Sequence, residues 1–219
     1  MGTLAILVLV IANAAMKYAQ GAEEEPLQDF CVADVNSVLP CKPAGEVKSS
    51  DFVSPLLRKP GNLNPALGLA VNIANAITFP GLNTLGLSMA RIDFQPKGLN
   101  PPHVHPRASE LLLLVQGTLK VGFVSTTGNT HFQQTLQQGD LFVFPRGLPH
   151  FQLNPDSCKT ALAIAALNSQ NPGDFQLAAA LFGFPPPLFH EVLQTALGIN
   201  DQEYLDHLNA SVATTQLVL

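Results

Sequence analysis

What most limits the folds open to this chain is the density of breakers between its apolar segments. Strand-length runs at Glu110–Val115, Thr118–Ser125, His131–Leu136, Asp140–Phe144 and Thr160–Asn168 are separated by glycine- or proline-based interruptions. These are Gly117, Thr127-Gly128-Asn129, Gln138-Gly139 and Pro145-Arg146-Gly147. Short runs ended by such turns build antiparallel sheets, and closing the sheets into a sandwich or barrel removes exposed edges. The 18 prolines and 16 glycines are scattered through all 219 residues, which argues against a helical bundle. Upstream, Leu85, Leu87 and Met89 alternate, then Ala90, Ile92 and Phe94 alternate in the opposite phase. That flip predicts a bulge or corner inside one strand.

The flanks read differently. Leu4 to Met16 is apolar except for Asn13, too short for a membrane span, and is followed by the small residues Ala19, Gly21 and Ala22. We read residues 1–22 as a secretory signal, with no later run able to span a membrane in the mature chain. Residues 23–83 form a loop-rich arm broken by Pro26, Pro40, Pro43, Pro55, Pro60 and Pro65, with short edge strands expected near Phe52–Leu57 and Leu69–Ile77. Residues 84–184 hold the β domain, and 185–219 a helical extension. In that extension Leu188, Phe189, Val192, Leu193, Ala196 and Leu197 form a stripe closed by Gly198. Asn200 is the expected cap of a second helix carrying Glu203, Tyr204, Leu205 and Leu208. Such stripes need cover, from the domain's own outer face or from a neighbouring subunit.

Cys31 and Cys41 lie ten residues apart in a polar segment, and in an oxidising compartment they are the natural disulfide pair. Cys158 stands alone and is expected to act as a small buried apolar group. The net charge is −5, with 11 basic and 16 acidic residues and no basic run, so a nucleic-acid partner is not expected.

Two stretches carry chemistry. In Gly98-Leu99-Asn100-Pro101-Pro102-His103-Val104-His105-Pro106-Arg107-Ala108-Ser109-Glu110, the two imidazoles leave an extended chain on one face. Glu110 opens an apolar strand, a costly place for a carboxylate unless a cation faces it. In Gly139 to Asn154 a strand ends in the Pro145-Arg146-Gly147 turn, and His150 resumes the chain between apolar residues. Three neutral imidazoles and one carboxylate suit Mn²⁺ or Fe²⁺ with positions left for water or substrate, and the lack of thiolate argues against a cysteine-type zinc site. An H-x-H pair alone occurs by chance. The spacing H-x-H-x4-E followed by G-x5-P-x-G-x2-H is much harder to reach by accident.

These two segments resemble the two motifs of the cupin superfamily, and specifically those of plant germins and germin-like proteins. Pro26 to Asp34, Pro80 to Gly86 and Asn168 to Gly173 are similar to germin segments as well. The resemblance implies an all-β fold, a single cupin jelly-roll β-barrel with an N-terminal arm and a C-terminal α-helical tail. It implies manganese held by His103, His105, Glu110 and His150, a Cys31–Cys41 bridge, and a homohexamer built as a trimer of dimers. It also implies a secreted protein of the apoplast or cell wall. Asn209-Ala210-Ser211 is the one N-x-[ST] acceptor for a glycan.

Three functions follow as expectations. The first is manganese superoxide dismutase activity on a small anionic substrate, with hydrogen peroxide as product. The second is oxalate oxidase. The resemblance implies two asparagines near the substrate, one matching Asn100, which we group with the metal ligands as catalytic, and one at a position held here by Ala90. A methyl group cannot donate the required hydrogen bond, so oxalate oxidase ranks lower. The third is a non-catalytic auxin-binding or wall-receptor role. Arg107 and Arg146 are expected in structural salt bridges, His131 at the surface, His190 and His207 on the tail helices, and Phe142, Phe144 and Phe151 lining the barrel.

Overall fold

A computed structural model of the chain describes residues 28–34, 41–183, 188–199 and 201–213. The expected signal segment and the cap expected at Asn200 lie outside the described residues. The chain divides into two units, Met1–Phe30 and Cys31–Leu219, and all that follows concerns the second.

Eleven strands run β1 (Leu63–Asn64), β2 (Leu69–Ala74), β3 (Ser88–Phe94), β4 (Leu99–Val104), β5 (Glu110–Gln116), β6 (Thr118–Val124), β7 (His131–Gln137), β8 (Leu141–Phe144), β9 (His150–Leu153), β10 (Ala161–Leu167) and β11 (Phe175–Gln176). They form two antiparallel sheets, ordered β1-β2-β3-β10-β5-β8 and β11-β4-β9-β6-β7. The alternation written in the sequence sets what lies between them. In β5, Leu112 and Leu114 point inward and are fully buried, whereas Leu111, Leu113 and Val115 point outward. One core joins both sheets, with Leu69, Ile92, Phe94, Leu112 and Leu114 meeting Leu119, Val121 and Leu136. The result is a jelly-roll barrel.

The corner from one sheet to the other is made at Gly117, between β5 and β6. Its φ is +88°, and a Cβ there would lie 2.8 Å from the Ala161 Cβ and 2.9 Å from the Thr160 oxygen. Only glycine satisfies both demands.

Three expectations of local structure need correction. No bulge divides β3, which pairs in continuous register with β2 and β10. Leu85, Leu87 and Met89 are exposed while Ser88, Ala90, Ile92 and Phe94 are buried, so the two apolar rows are opposite faces of one unbroken alternation. The segment near Phe52–Leu57 is not a strand but two 3-10 turns, Ser49–Phe52 and Leu56–Arg58. Finally, β2 is no edge: it sits between β1 and β3 in the six-stranded sheet.

Cys31 and Cys41 are joined in a disulfide with Cα atoms 5.0 Å apart. After the π-helical turn Ala179–Gly183, helix α1 (His190–Leu197) ends in Gly198 at φ 66°, a left-handed cap, and α2 (Gln202–Ala213) follows. Asp201 caps α2, its Oδ1 accepting the Tyr204 N–H at 3.1 Å. Leu193 and Leu205 are buried, but Leu188, Phe189, Val192, Leu197 and Tyr204 remain exposed on the single chain. Among the described residues no helix is long and apolar enough to cross a membrane.

Candidate metal centre

The site begins with two prolines. Pro101 and Pro102 have no N–H to give to the ladder, and the β4–β9 register shifts between Asn100, opposite Gln152, and His103, opposite His150. This irregularity keeps both Asn100 and His103 buried on the inner face although they are three residues apart. It also sets the His103 and His150 rings 4.1 Å apart, centre to centre. His105 follows β4, and Glu110 starts the inward row that continues through Leu112 and Leu114. The donor atoms of His103, His105, Glu110 and His150 all lie within 4.8 Å of one another. The four residues singled out by spacing therefore converge, three from the β4 and β9 region of one sheet and one from β5 of the other.

Backbone carbonyls orient every ring. The Nδ1 of His103 lies 2.8 Å from the Pro101 oxygen, that of His105 2.6 Å from Gly173, and that of His150 2.8 Å from Leu148. A carbonyl only accepts, so each Nδ1 carries the proton and each Nε2 is turned toward the shared centre. Phe144 stacks on the His150 ring at 4.6 Å and holds its plane. On the carboxylate side, Gln152 Nε2 approaches Glu110 Oε1 at 3.5 Å, and Gln152 Oε1 accepts the Asn100 amide at 2.7 Å. Glu110 Oε2 is left facing His105 Nε2 at 3.1 Å and His150 Nε2 at 3.5 Å.

These residues fit a divalent cation. The His150 Nε2 is buried without a hydrogen-bond partner, an expensive state for a ring nitrogen unless it ligates. His105 has an acceptor at each nitrogen, so it either carries two protons or yields one to a cation. Burial works against the charged form of His105, but the Glu110 contact outweighs it and raises its affinity for a proton. Burial, reinforced by repulsion from His150, pushes His103 down to about 3, so it stays a neutral ligand. Burial also opposes ionisation of Glu110, yet its contacts with His105 and His150 prevail and hold it down at about 2. Three neutral imidazoles beside one carboxylate make a hard, mixed N/O set of the kind that takes Mn²⁺ or Fe²⁺.

A cavity of about 40 Å³ opens onto this cluster. Its walls are the aliphatic Val71, Ile73, Ala90, Ile92, Ala165 and Leu167, with Asn100, His103, His105, Glu110 and Asp174 supplying the polar surface. Asn100 thus reaches the cavity, with one amide hydrogen committed to Gln152. Two residues that matter here, Gln152 and Asp174, escaped the sequence reading. Gln152 could have been found, because two residues beyond His150 on a strand is the same face.

Other expectations fare differently. Cys158 is exposed, not buried: its N–H is tied to Asp156 Oδ1 at 2.8 Å in a surface turn before β10. Arg107 makes hydrogen bonds instead of a salt bridge, to the Asn171 oxygen at 2.6 Å and its Oδ1 at 3.2 Å. Among the described residues neither Arg107 nor Arg146 has an ion pair. His131 is exposed at the start of β7, and His190 lies 3.7 Å from Asp206. His207 is exposed on α2. Phe144 is buried in the core, with Phe142 packed against it. Asn209 sits half-buried within α2.

A jelly roll carrying this donor set defines a cupin, and residues 56–204 match the family model described as Cupin. Among curated proteins, the chain is 46% identical over 212 residues to Germin-like protein 8-2 of Oryza sativa subsp. japonica, covering 94% of this chain and 96% of that protein. It is 47% identical over 195 residues to Germin-like protein subfamily 2 member 1 of Arabidopsis thaliana, covering 87% and 88%. A solved structure of recombinant oxalate oxidase in complex with glycolate superposes with a TM-score of 0.83 at 39% identity, covering 89% of this chain and all of that one. The chain belongs to the germin-like family of cupins.

Proposed function

We propose that this chain is a secreted germin-like protein that binds manganese through His103, His105, Glu110 and His150 and removes superoxide at the cell wall. The observation that carries the reading is the cavity. At about 40 Å³ it has room for about three water-sized groups, which suits an ion with a diatomic ligand. Oxalate, with six heavy atoms, is larger than such a ligand and would have to extend into the open mouth of the cavity. The methyl of Ala90 forms part of the cavity wall, where the resemblance to true germins would place an asparagine.

In the reaction two superoxide anions and two protons give one dioxygen and one hydrogen peroxide. A bound manganese ion supplies the one-electron couple. The protein's part is orientation and exclusion. The carbonyls of Pro101, Leu148 and Gly173 hold the imidazole protons on Nδ1, and Gln152 steadies Glu110. The aliphatic wall keeps bulk water behind the reacting centre. Superoxide and the protons it consumes enter on the polar side, past Asp174 and Asn100.

A second reading, oxalate oxidase, is favoured by the likeness to the oxalate oxidase–glycolate structure. Purified protein distinguishes the two. We expect close to one manganese per chain and superoxide removal that disappears in His103→Ala and Glu110→Ala, with no oxalate turnover. Stoichiometric zinc without redox activity overturns the dismutase reading, and oxalate turnover favours the second.

The proposal extends to assembly as a homohexamer, a trimer of dimers. Exposed apolar rows on the outer face of the six-stranded sheet and on α1 support it. We also propose cleavage of the 1–22 segment, export to the apoplast and glycan attachment at Asn209.

A further inference from the structure

One charged group at the cavity has no part in holding an ion. Residue pairing across β11 and β4 runs Phe175 to Val104 and Gln176 to His103. Continued by one residue, this register sets Asp174 across from His105, and the carbonyl of the preceding Gly173 touches the His105 ring. Asp174 lines the cavity while keeping an exposed side, which places it at the mouth. Gln176 Nε2 donates to its Oδ2 at 3.2 Å and steadies it there. No lysine or arginine among the described residues lines the cavity to offset it. Arg107, the nearby guanidinium, is engaged by Asn171.

The charge arithmetic gives this carboxylate a consequence. A divalent ion held by three neutral imidazoles and Glu110 leaves one net positive charge at the centre. Asp174 brings the cavity as a whole to zero. Any anion approaching the ion must pass a negative charge, and the repulsion scales with the anion's own charge. We infer that Asp174 is a specificity-determining charge filter, which admits small monoanions and rejects dianions such as dicarboxylates. This rests on the metal-centre reading and adds selectivity to it: Ala90 and the cavity volume limit size, and Asp174 limits charge.

The test uses two ligands of nearly equal size, glycolate with one charge and oxalate with two. Wild type, Asp174→Asn and Asp174→Glu are loaded with manganese, their metal content is measured, and each ligand is titrated while the Mn²⁺ electron paramagnetic resonance spectrum is followed. Asp174→Asn keeps the shape and the Gln176 hydrogen bond but removes the charge. It should tighten glycolate by about threefold to tenfold, the expected size for a partly screened charge at this range. Oxalate should tighten by about the square of that factor. Asp174→Glu should behave as wild type. Equal factors for both ligands, no change, or weaker binding in Asp174→Asn would overturn the filter while leaving the metal centre intact. A wild-type protein that takes up no metal overturns the metal-centre reading and the filter with it.

Discussion

His103 is neutral in the folded protein down to about pH 3, whereas in the unfolded chain it takes a proton below about 6.5. The unfolded state therefore binds more protons across that interval, and folding loses stability as pH falls through it. Glu110, depressed from 4.5 to about 2, adds to the loss at the acid end. His105 acts in the opposite sense. Its raised pKa contributes stability below 6.5 that is lost as pH rises through the folded value. For His103 alone the loss is about 5 kcal/mol if the full shift is expressed. Thermal unfolding of the chelated protein should show a melting point that falls from pH 6.5 toward 4, and more shallowly in His103→Leu; identical slopes in the two proteins would contradict this account. At this scale the sequence was informative where the geometry is local. His103 and His105 lie two residues apart on extended chain, and period two predicts their common face, while Glu110 is marked by the cost of a carboxylate at the head of an apolar strand. Asp174 was invisible because only the long-range pairing of β11 with β4 brings it to His105. Cys158 was misjudged because a cysteine's usual burial says nothing about a turn whose backbone is organised by Asp156.

At the scale of elements, two glycines with nearly the same backbone conformation should answer differently to the same substitution. Gly117 and Gly139 adopt φ of +88° and +94°, but a Cβ on Gly139 would meet nothing within 4 Å, whereas one on Gly117 would press into Ala161 and Thr160. Gly139→Ala should cost about 1 kcal/mol, the backbone strain alone. Gly117→Ala should cost that plus displacement of β10, about 3 kcal/mol in all, or roughly 6–12 °C in melting temperature for a domain of this size. Calorimetry on the pair checks it, and equal losses would show that the corner yields freely. Strands β5, β6, β7, β8 and β10 are legible to within a residue or so, since turn residues bound them on both sides. By contrast, β2 ends three residues earlier than expected, and the short β1 and β11 carry no period of their own. The arm is not legible. Phe52 to Leu57 has β-like composition, yet its backbone closes short turns at Val53, whose N–H reaches the Ser50 oxygen, and at Arg58, whose N–H reaches Pro55. Local hydrogen bonds of that kind leave no period in the side chains.

On the scale of the whole molecule the outer face of the six-stranded sheet stands out. Met89, Leu111, Leu113, Val115, Leu141 and Val143 are all more than a third exposed on the single chain. A row of this extent on one sheet is more apolar than a solitary soluble chain usually leaves open. Light scattering should show an oligomer for the wild type. The double variant Leu111→Lys, Leu141→Lys should dissociate to a smaller species that still takes up one metal per chain, because both side chains point away from the core. An unchanged assembly would move the interface elsewhere. The alternation of β5 foretold which side chains face outward. What covers them was beyond any reading of one chain, because a hidden face and a wet one differ by the presence of a neighbour.

The division of the donors between β5 on one sheet and β4 and β9 on the other has a mechanical consequence. A cation held by Glu110, His103 and His150 would join both walls of the barrel like a rivet. Whatever draws those walls together would then tighten the grip on the ion, and whatever pries them apart would loosen it.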